Sequence, residues 1–155
     1  MTLQRVLAGL DGSAGAHRAL LWAADLVNGT ETEILAVHVL TYSTELRRDM
    51  GIVTMTLWRR NLQAELDGAW TAALREPGVS CRWRTHMVEG ESASSGLMEA
   101  AEAEHADLIV VGAQGHGGIA DRVLGGASYR LAHRARQPVV VVPRDWTGSP
   151  EVSKK

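Results

Sequence analysis

Residues 112–130 read GAQGHGGIADRVLGGASYR, and six of these nineteen residues are glycine. The stretch follows the apolar run DLIVV and runs into the helical pattern YRLAHRAR. Glycine lets main-chain N–H groups come close to a ligand and tolerates positive φ. Gly112 and Gly115 fall in the turn leaving a strand, and Gly125 and Gly126 fall at the start of a helix. A helix N-terminus adds unpaired donors and the positive end of a dipole, which suits phosphate. The combination fits a cradle for nucleotide phosphates. It fits equally a glycine-rich loop with no ligand. His116 and Arg122, inside the stretch, can reach a phosphate or face solvent. Asp11, in LDGSAG (10–15), is the companion group. Its carboxylate can accept hydrogen bonds from ribose hydroxyls, cap a helix, or form an Asp-Gly turn.

These groups need a frame. Apolar or β-branched runs recur at 5–10 (RVLAGL), 33–40 (EILAVHVL), 79–88 (VSCRWRTHMV), 107–112 (DLIVVG) and 138–143 (PVVVVP). Three lack clean alternation, which suits strands covered on both faces. CRWRTHMV alternates more, as an edge strand does. Helical stripes fill the gaps: Ala16, Ala19, Ala23 and Leu26; Met55, Trp58, Leu62, Leu66, Ala69 and Ala73 on one longer helix; Ala93, Leu97, Ala100 and Ala101; Leu124, Ala127, Leu131 and Ala135. Ser13 and Ser92 stand where N-caps belong, and Pro77-Gly78 ends the second helix. Strands alternating with helices predict an α/β fold, a doubly wound five-stranded parallel sheet of flavodoxin-like order 3-2-1-4-5. Ligands bind such sheets at the carboxyl ends of the strands, where the winding reverses. Both LDGSAG and the glycine stretch lie there. The segment 41–54 is the longest connection without strong periodicity, a candidate lid or an irregular solvated loop.

Composition removes other classes. The chain has 155 residues, 45% hydrophobic and 22% charged, with net charge −2. One domain over 1–146 is expected, with a flexible polar tail at 147–155. Nothing basic enough points to nucleic acid. No apolar run approaches about 18 residues, and no polybasic run marks a membrane surface. The start MTLQRVLAGLDGS lacks the apolar core of a signal peptide. A single cysteine, Cys81, leaves no internal disulfide. A cytoplasmic protein is the expectation.

The glycine stretch resembles the nucleotide motif of the universal stress protein family: Gly, two residues, Gly, nine residues, Gly, then Ser or Thr. Gly112, Gly115 and Gly125 keep that spacing. ADLIVVG before it, QPVVVVP after it, and the opening VLAGLDGSAGAHRALLWAADLV with AVHVL resemble the family too, over residues 3 to 143. The resemblance implies an adenine-nucleotide α-hydrolase-like fold and a stress-linked regulatory protein binding ATP, with Mg²⁺ accompanying it, or AMP or cyclic AMP. Asp11 would meet the ribose and the main chain of Val39 the adenine. Gly112, Gly115, Gly125, Gly126 and Ser128 would hold ribose and phosphates, with Leu10, His116 and Ala127 completing the set. It also implies a homodimer through the last strand, Val139, Val140, Val141 and Val142, whose apolar edge needs cover.

One position departs from the pattern. Gly126 stands where Ser or Thr is expected, so a hydroxyl donor to phosphate is missing while the main-chain N–H remains. A hydrogen bond to a charged group contributes about 1.5–3 kcal/mol, or on the order of tenfold to a hundredfold in affinity. Ser128, further into the helix, is a partial substitute. The departure implies weaker binding or a different adenine nucleotide. It also keeps open a dimeric scaffold that binds no nucleotide and acts through protein partners. A nucleotide hydrolase has the least support, because only Asp11 and Asp121 stand near the glycines as acids.

Competing motifs fail. Gly115, Gly117 and Ala120 fit a relaxed dinucleotide pattern, but after the fourth strand and without the acidic residue about 20 positions on. Neither Gly-Lys-Ser/Thr nor a nucleophile elbow occurs. The six histidines form no i,i+4 pair, so no metal site is expected. The five tryptophans, spread over the chain, suit packing better than base stacking.

Overall fold

The computed structural model describes residues 1–41, 48–114 and 125–148. Gly115, His116, Asp121, Arg122, Leu124, residues 42–47 of the expected lid segment and residues 149–155 of the tail lie outside them.

Five strands form one parallel sheet: β1 (Arg5–Gly9), β2 (Glu33–Leu40), β3 (Arg82–Glu89), β4 (Leu108–Gly112) and β5 (Val139–Val142), in the order β3-β2-β1-β4-β5. The expected winding is therefore present, with its reversal between β1 and β4. Among the described residues the principal helices are α1 (Ala14–Val27), α2 (Ile52–Asp67), α3 (Ala93–Ala103) and α4 (Gly126–Arg134), with a 3-10 helix at Ala69–Arg75. Side chains alternate across each strand, so the core divides in two. Val6, Ala8, Ile34 and Ala36 pack with Ala19, Leu20, Ala23 and Val27 of α1 on one face. Leu7, Leu35, Val37 and Ile109 pack with Leu97, Ala101 and Leu131 of α3 and α4 on the other. Two covered faces explain why the central strands read as unbroken apolar runs. β3 is half-buried along most of its length, as its edge position demands.

Ser13 and Ser92 cap α1 and α3 as expected, Ser13 accepting from Ala16 N–H at 3.1 Å and Ser92 in a capping box with Ser95. Three expectations need correction. Leu26 is 42% exposed, and Val27 is the buried end of the α1 stripe. The long second helix is two: α2 stops at Asp67, Gly68 turns the chain at φ −106°, ψ −95°, and a 3-10 helix follows. The freed carbonyls find side-chain donors, with Thr71 Oγ1 donating to Leu66 O at 2.8 Å and Arg75 reaching the carbonyls of Asp67 and Gly68. The apolar stripe continues through this break, so periodicity cannot reveal it. Finally, residues 52–54 of the presumed loop are the first turn of α2.

At the amino ends of the strands, Arg5 and Arg84 bracket Glu33 and Glu104 in one ion-pair network tying β1, β2, β3 and the end of α3 together. The carboxyl ends, opposite, carry the site.

Candidate functional site

β1 pairs with β4 only from Val6 to Ala8, against Leu108 to Val110. Beyond that the two strands part. On the other side the β1–β2 pairing closes with Leu10 N–H donating to Val37 O at 2.8 Å. Main-chain edges alternate along a parallel strand: Val37 faces β1, while Leu40 O faces away and accepts from Gly90 N–H. Val39, one pleat beyond Val37, therefore presents its main-chain edge past the end of β1. The parting strands open a shallow cleft at their carboxyl ends.

Its walls gather residues from six elements and the turns between them. Leu10, Asp11 and Ser13 come from the turn after β1, and Val39 from β2. Gly112 comes from β4, Gln114 from the turn after it, and Ala127 and Ser128 from α4. Six expected site residues, Leu10, Asp11, Val39, Gly112, Ala127 and Ser128, thus share one cavity. Gly125 and Gly126 begin the helix that carries the last two. His38, Ala93 and Leu97 also line it and were not expected. No local pattern marks Ala93 or Leu97, because α3 joins the site only through the sheet. His38 stands in the quoted strand AVHVL, and a histidine in an otherwise apolar strand was the available signal.

Asp11 forms the Asp-Gly turn. Its Oδ1 accepts from Ser13 N–H at 2.9 Å, and Gly12 takes φ +80°. A carboxylate has about four acceptor positions, so this turn is compatible with ligand hydroxyls. His38 Nδ1 lies 2.7 Å from Leu10 O; a carbonyl only accepts, so that nitrogen carries the proton.

The glycines divide in function. A Cβ at Gly112 would lie 2.5 Å from Gly15 O, and one at Gly15 would lie 2.2 Å from Gln114 O. The two interlock the start of α1 with the end of β4, so packing demands Gly112 whether or not a ligand binds. Gly125 donates its N–H to Ala113 O at 2.7 Å, tying the start of α4 to the chain leaving β4. Ser128 is 4% exposed and its hydroxyl donates to Gly112 O at 2.6 Å. Its one proton thus holds α4 to β4. The first main-chain bond of α4 is Tyr129 N–H to Gly125 O, and no side chain caps the helix. The N–H groups of Gly126, Ala127 and Ser128 thus precede the helical ladder, at the rim of the cleft, with the positive end of the dipole.

Burial pushes the Cys81 thiol up, away from the thiolate a nucleophile needs. Among the described residues no three His, Cys, Asp or Glu side chains are grouped to hold a metal, and no helix is long and apolar enough to cross a membrane.

A model of the Universal stress protein family matches residues 2–143. A universal stress protein of Mycolicibacterium smegmatis is 33% identical over 145 residues, covering 88% of this chain and 45% of that protein. The chain spans about half the length of the first curated relatives it matches. Solved structures share the fold. A universal stress protein from Lactobacillus plantarum superimposes with TM-score 0.71 at 17% identity, over 92% of this chain and 99% of that one. One solved in complex with cAMP has TM-score 0.61 at 22% identity, covering 92% and 98%. One from Arabidopsis thaliana with AMP bound has TM-score 0.58 at 17% identity, covering 96% and 98%.

Proposed function

The chain belongs to the universal stress protein family, and from that premise we propose that it binds an adenine nucleotide in the cleft where β1 parts from β4, and acts as a nucleotide-responsive regulatory protein. One observation carries the reading: residues expected at the base, ribose and phosphate positions line a single cleft at the switch point. The cleft also has the right polarity. Val37, Val39, Leu97 and Ala93 make an apolar wall for a base. The open main-chain edge of Val39 suits the hydrogen-bonding edge of adenine, and Asp11 suits ribose hydroxyls. The uncapped N-terminus of α4 suits phosphate. Space is available there, since a side chain added at Gly126 would meet nothing within 4 Å. ATP, with Mg²⁺ held through its phosphates, fits this donor set, as do AMP and cAMP. The family members solved with cAMP and AMP support the class of ligand.

Nucleotide released on denaturing the purified protein, identified by mass spectrometry, tests the proposal, together with calorimetric titration of ATP, AMP and cAMP. Neither carried nucleotide nor heat at millimolar ligand overturns it.

The same reading includes a homodimer through β5. Val139, Val140 and Val141 are half-buried on an edge strand, and an apolar edge invites pairing with a second chain. Val140→Lys should shift the sedimentation mass to the monomer; a wild-type monomer refutes the pairing.

A further inference from the structure

We propose that Trp70 and His38 are positioning residues that hold the Asp11 turn, and that this hold makes the site discriminate ribose from deoxyribose. The inference rests on the nucleotide reading above and extends it.

The turn at 10–13 lies beyond the end of β1, so it has lost the support of the sheet beyond Leu10. It is held instead by contacts from elsewhere. His38 Nδ1–H donates to Leu10 O at 2.7 Å. On the far side of Asp11, the ring atoms of Trp70 lie 2.9–3.0 Å from where a Cβ of Gly12 would stand. The indole thus occupies the space a side chain would take. Gly12 must be glycine for that reason and for its φ of +80°. The two holding groups also brace each other: the His38 and Trp70 rings meet edge to face, 5.0 Å apart at 74°, a favoured aromatic geometry. Asp11 therefore sits between two pinned residues, with its Oδ1 tied to Ser13 N–H.

Trp70 acts at one remove. It lines a neighbouring cleft with Gly12, Ala14, His17 and Ala69, on the other side of the turn, and is not part of the nucleotide cleft wall. Its place there depends on the break at Gly68, which turns the chain back towards the sheet.

The consequence is specificity. An acceptor held in place meets the ligand hydroxyl without reorganising, and a ligand that lacks the hydroxyl forfeits that bond, so the analogue is rejected. An acceptor free to swing away turns to water and loses little. The clamp therefore favours ribonucleotides, with Trp70 acting from outside the cleft wall.

The test compares ATP and AMP with their 2′-deoxy and 3′-deoxy forms by calorimetry. Wild-type protein should prefer at least one ribose form by about tenfold or more, the value of a hydrogen bond to a charged acceptor. Trp70→Ala and His38→Ala should bring that ratio to within about threefold, and in Trp70→Ala, whose indole lies outside the cleft wall, the loss falls on the ribonucleotide with deoxynucleotide affinity kept. Trp70→Phe, which keeps a ring over Gly12, and His38→Asn, which keeps a donor for Leu10 O, should restore most of it. Variants that keep the wild-type ratio, or lose both ligands equally, overturn the inference. Should Trp70→Ala not fold, Trp70→Leu and His38→Ala carry the same comparison. Wild-type protein that binds no nucleotide overturns the nucleotide reading and the ribose preference with it. Amide exchange then judges the clamp alone. Faster exchange at Ser13 in His38→Ala, with the strand amides unchanged, upholds it, and unchanged exchange at Ser13 overturns it.

Discussion

Replacing Gly126 with serine isolates the one position where the glycine stretch departs from the family pattern. Gly126 is the first residue of α4, exposed, and outside the left-handed region of φ. A Cβ there meets nothing within 4 Å, so the substitution brings no steric penalty. Two effects follow. The added hydroxyl stands at the rim of the cleft beside the uncapped N–H groups of the first turn. A bond from it to a ligand phosphate contributes about 1.5–3 kcal/mol, which raises affinity about tenfold to a hundredfold. Independently, serine is a better helix residue than glycine by about 0.5 kcal/mol, which raises stability without a ligand. Gly126→Ala separates the two, since alanine improves the helix by about 1 kcal/mol and brings no hydroxyl. Calorimetry with ATP, AMP and adenosine, and melting curves without ligand, should therefore show both variants melting higher. Only the serine variant should bind phosphorylated ligands more tightly, and adenosine should gain nothing. Equal affinities for the serine and alanine variants, or an equal gain for adenosine, would refute the reasoning about the missing hydroxyl.

Gly112→Ala should lower the melting temperature, because its Cβ would overlap the main chain of Gly15, where overpacking costs about 1–3 kcal/mol; an unchanged melting curve shows that α1 moves aside freely. Ser128→Ala removes a buried donor to Gly112 O and should destabilise by about 1–3 kcal/mol in denaturant unfolding, with the end of β4 the first region to lose amide protection. Glu104→Gln tests the network at the amino ends of the strands. The hydrogen bond from Arg84, with the charges of Arg84, His86 and Arg5, holds the Glu104 carboxyl below the usual carboxylate range. The folded protein therefore binds fewer protons there than the unfolded chain, so the stabilisation is present at neutral pH and lost in acid. Wild type should exceed the variant by about 1 kcal/mol or less at neutral pH, the scale of part-exposed ion pairs. The gap should close below about pH 4; a gap that stays constant from neutral to acid removes Glu104 from the pH dependence.

Much of the frame was legible because its signals are local. Apolar runs marked the strands, Ser13 and Ser92 marked the helix starts, and strand–helix alternation leaves few ways to wind a parallel sheet. The reversal between β1 and β4 then placed LDGSAG beside the glycine stretch with no knowledge of any contact. Residues brought in from distant elements were not legible. Leu97 and Ala93 reach the cleft because α3 packs across β2, which no spacing within α3 records. Leu26 and Val27 are adjacent leucine and valine, and only the docking of α1 on the sheet chose which one to bury.

The glycines show the division most plainly. Composition and spacing were enough to specify a bared main chain at the switch point, because a missing side chain is a property of the residue itself. Why it is bare depends on what lies opposite. Gly112 faces the main chain of Gly15, Gly12 faces the ring of Trp70, and Gly126 faces open space. Those three answers exist only once elements far apart in the chain are packed together. Volume is shared between neighbours in space, whereas residue type is inherited along the chain.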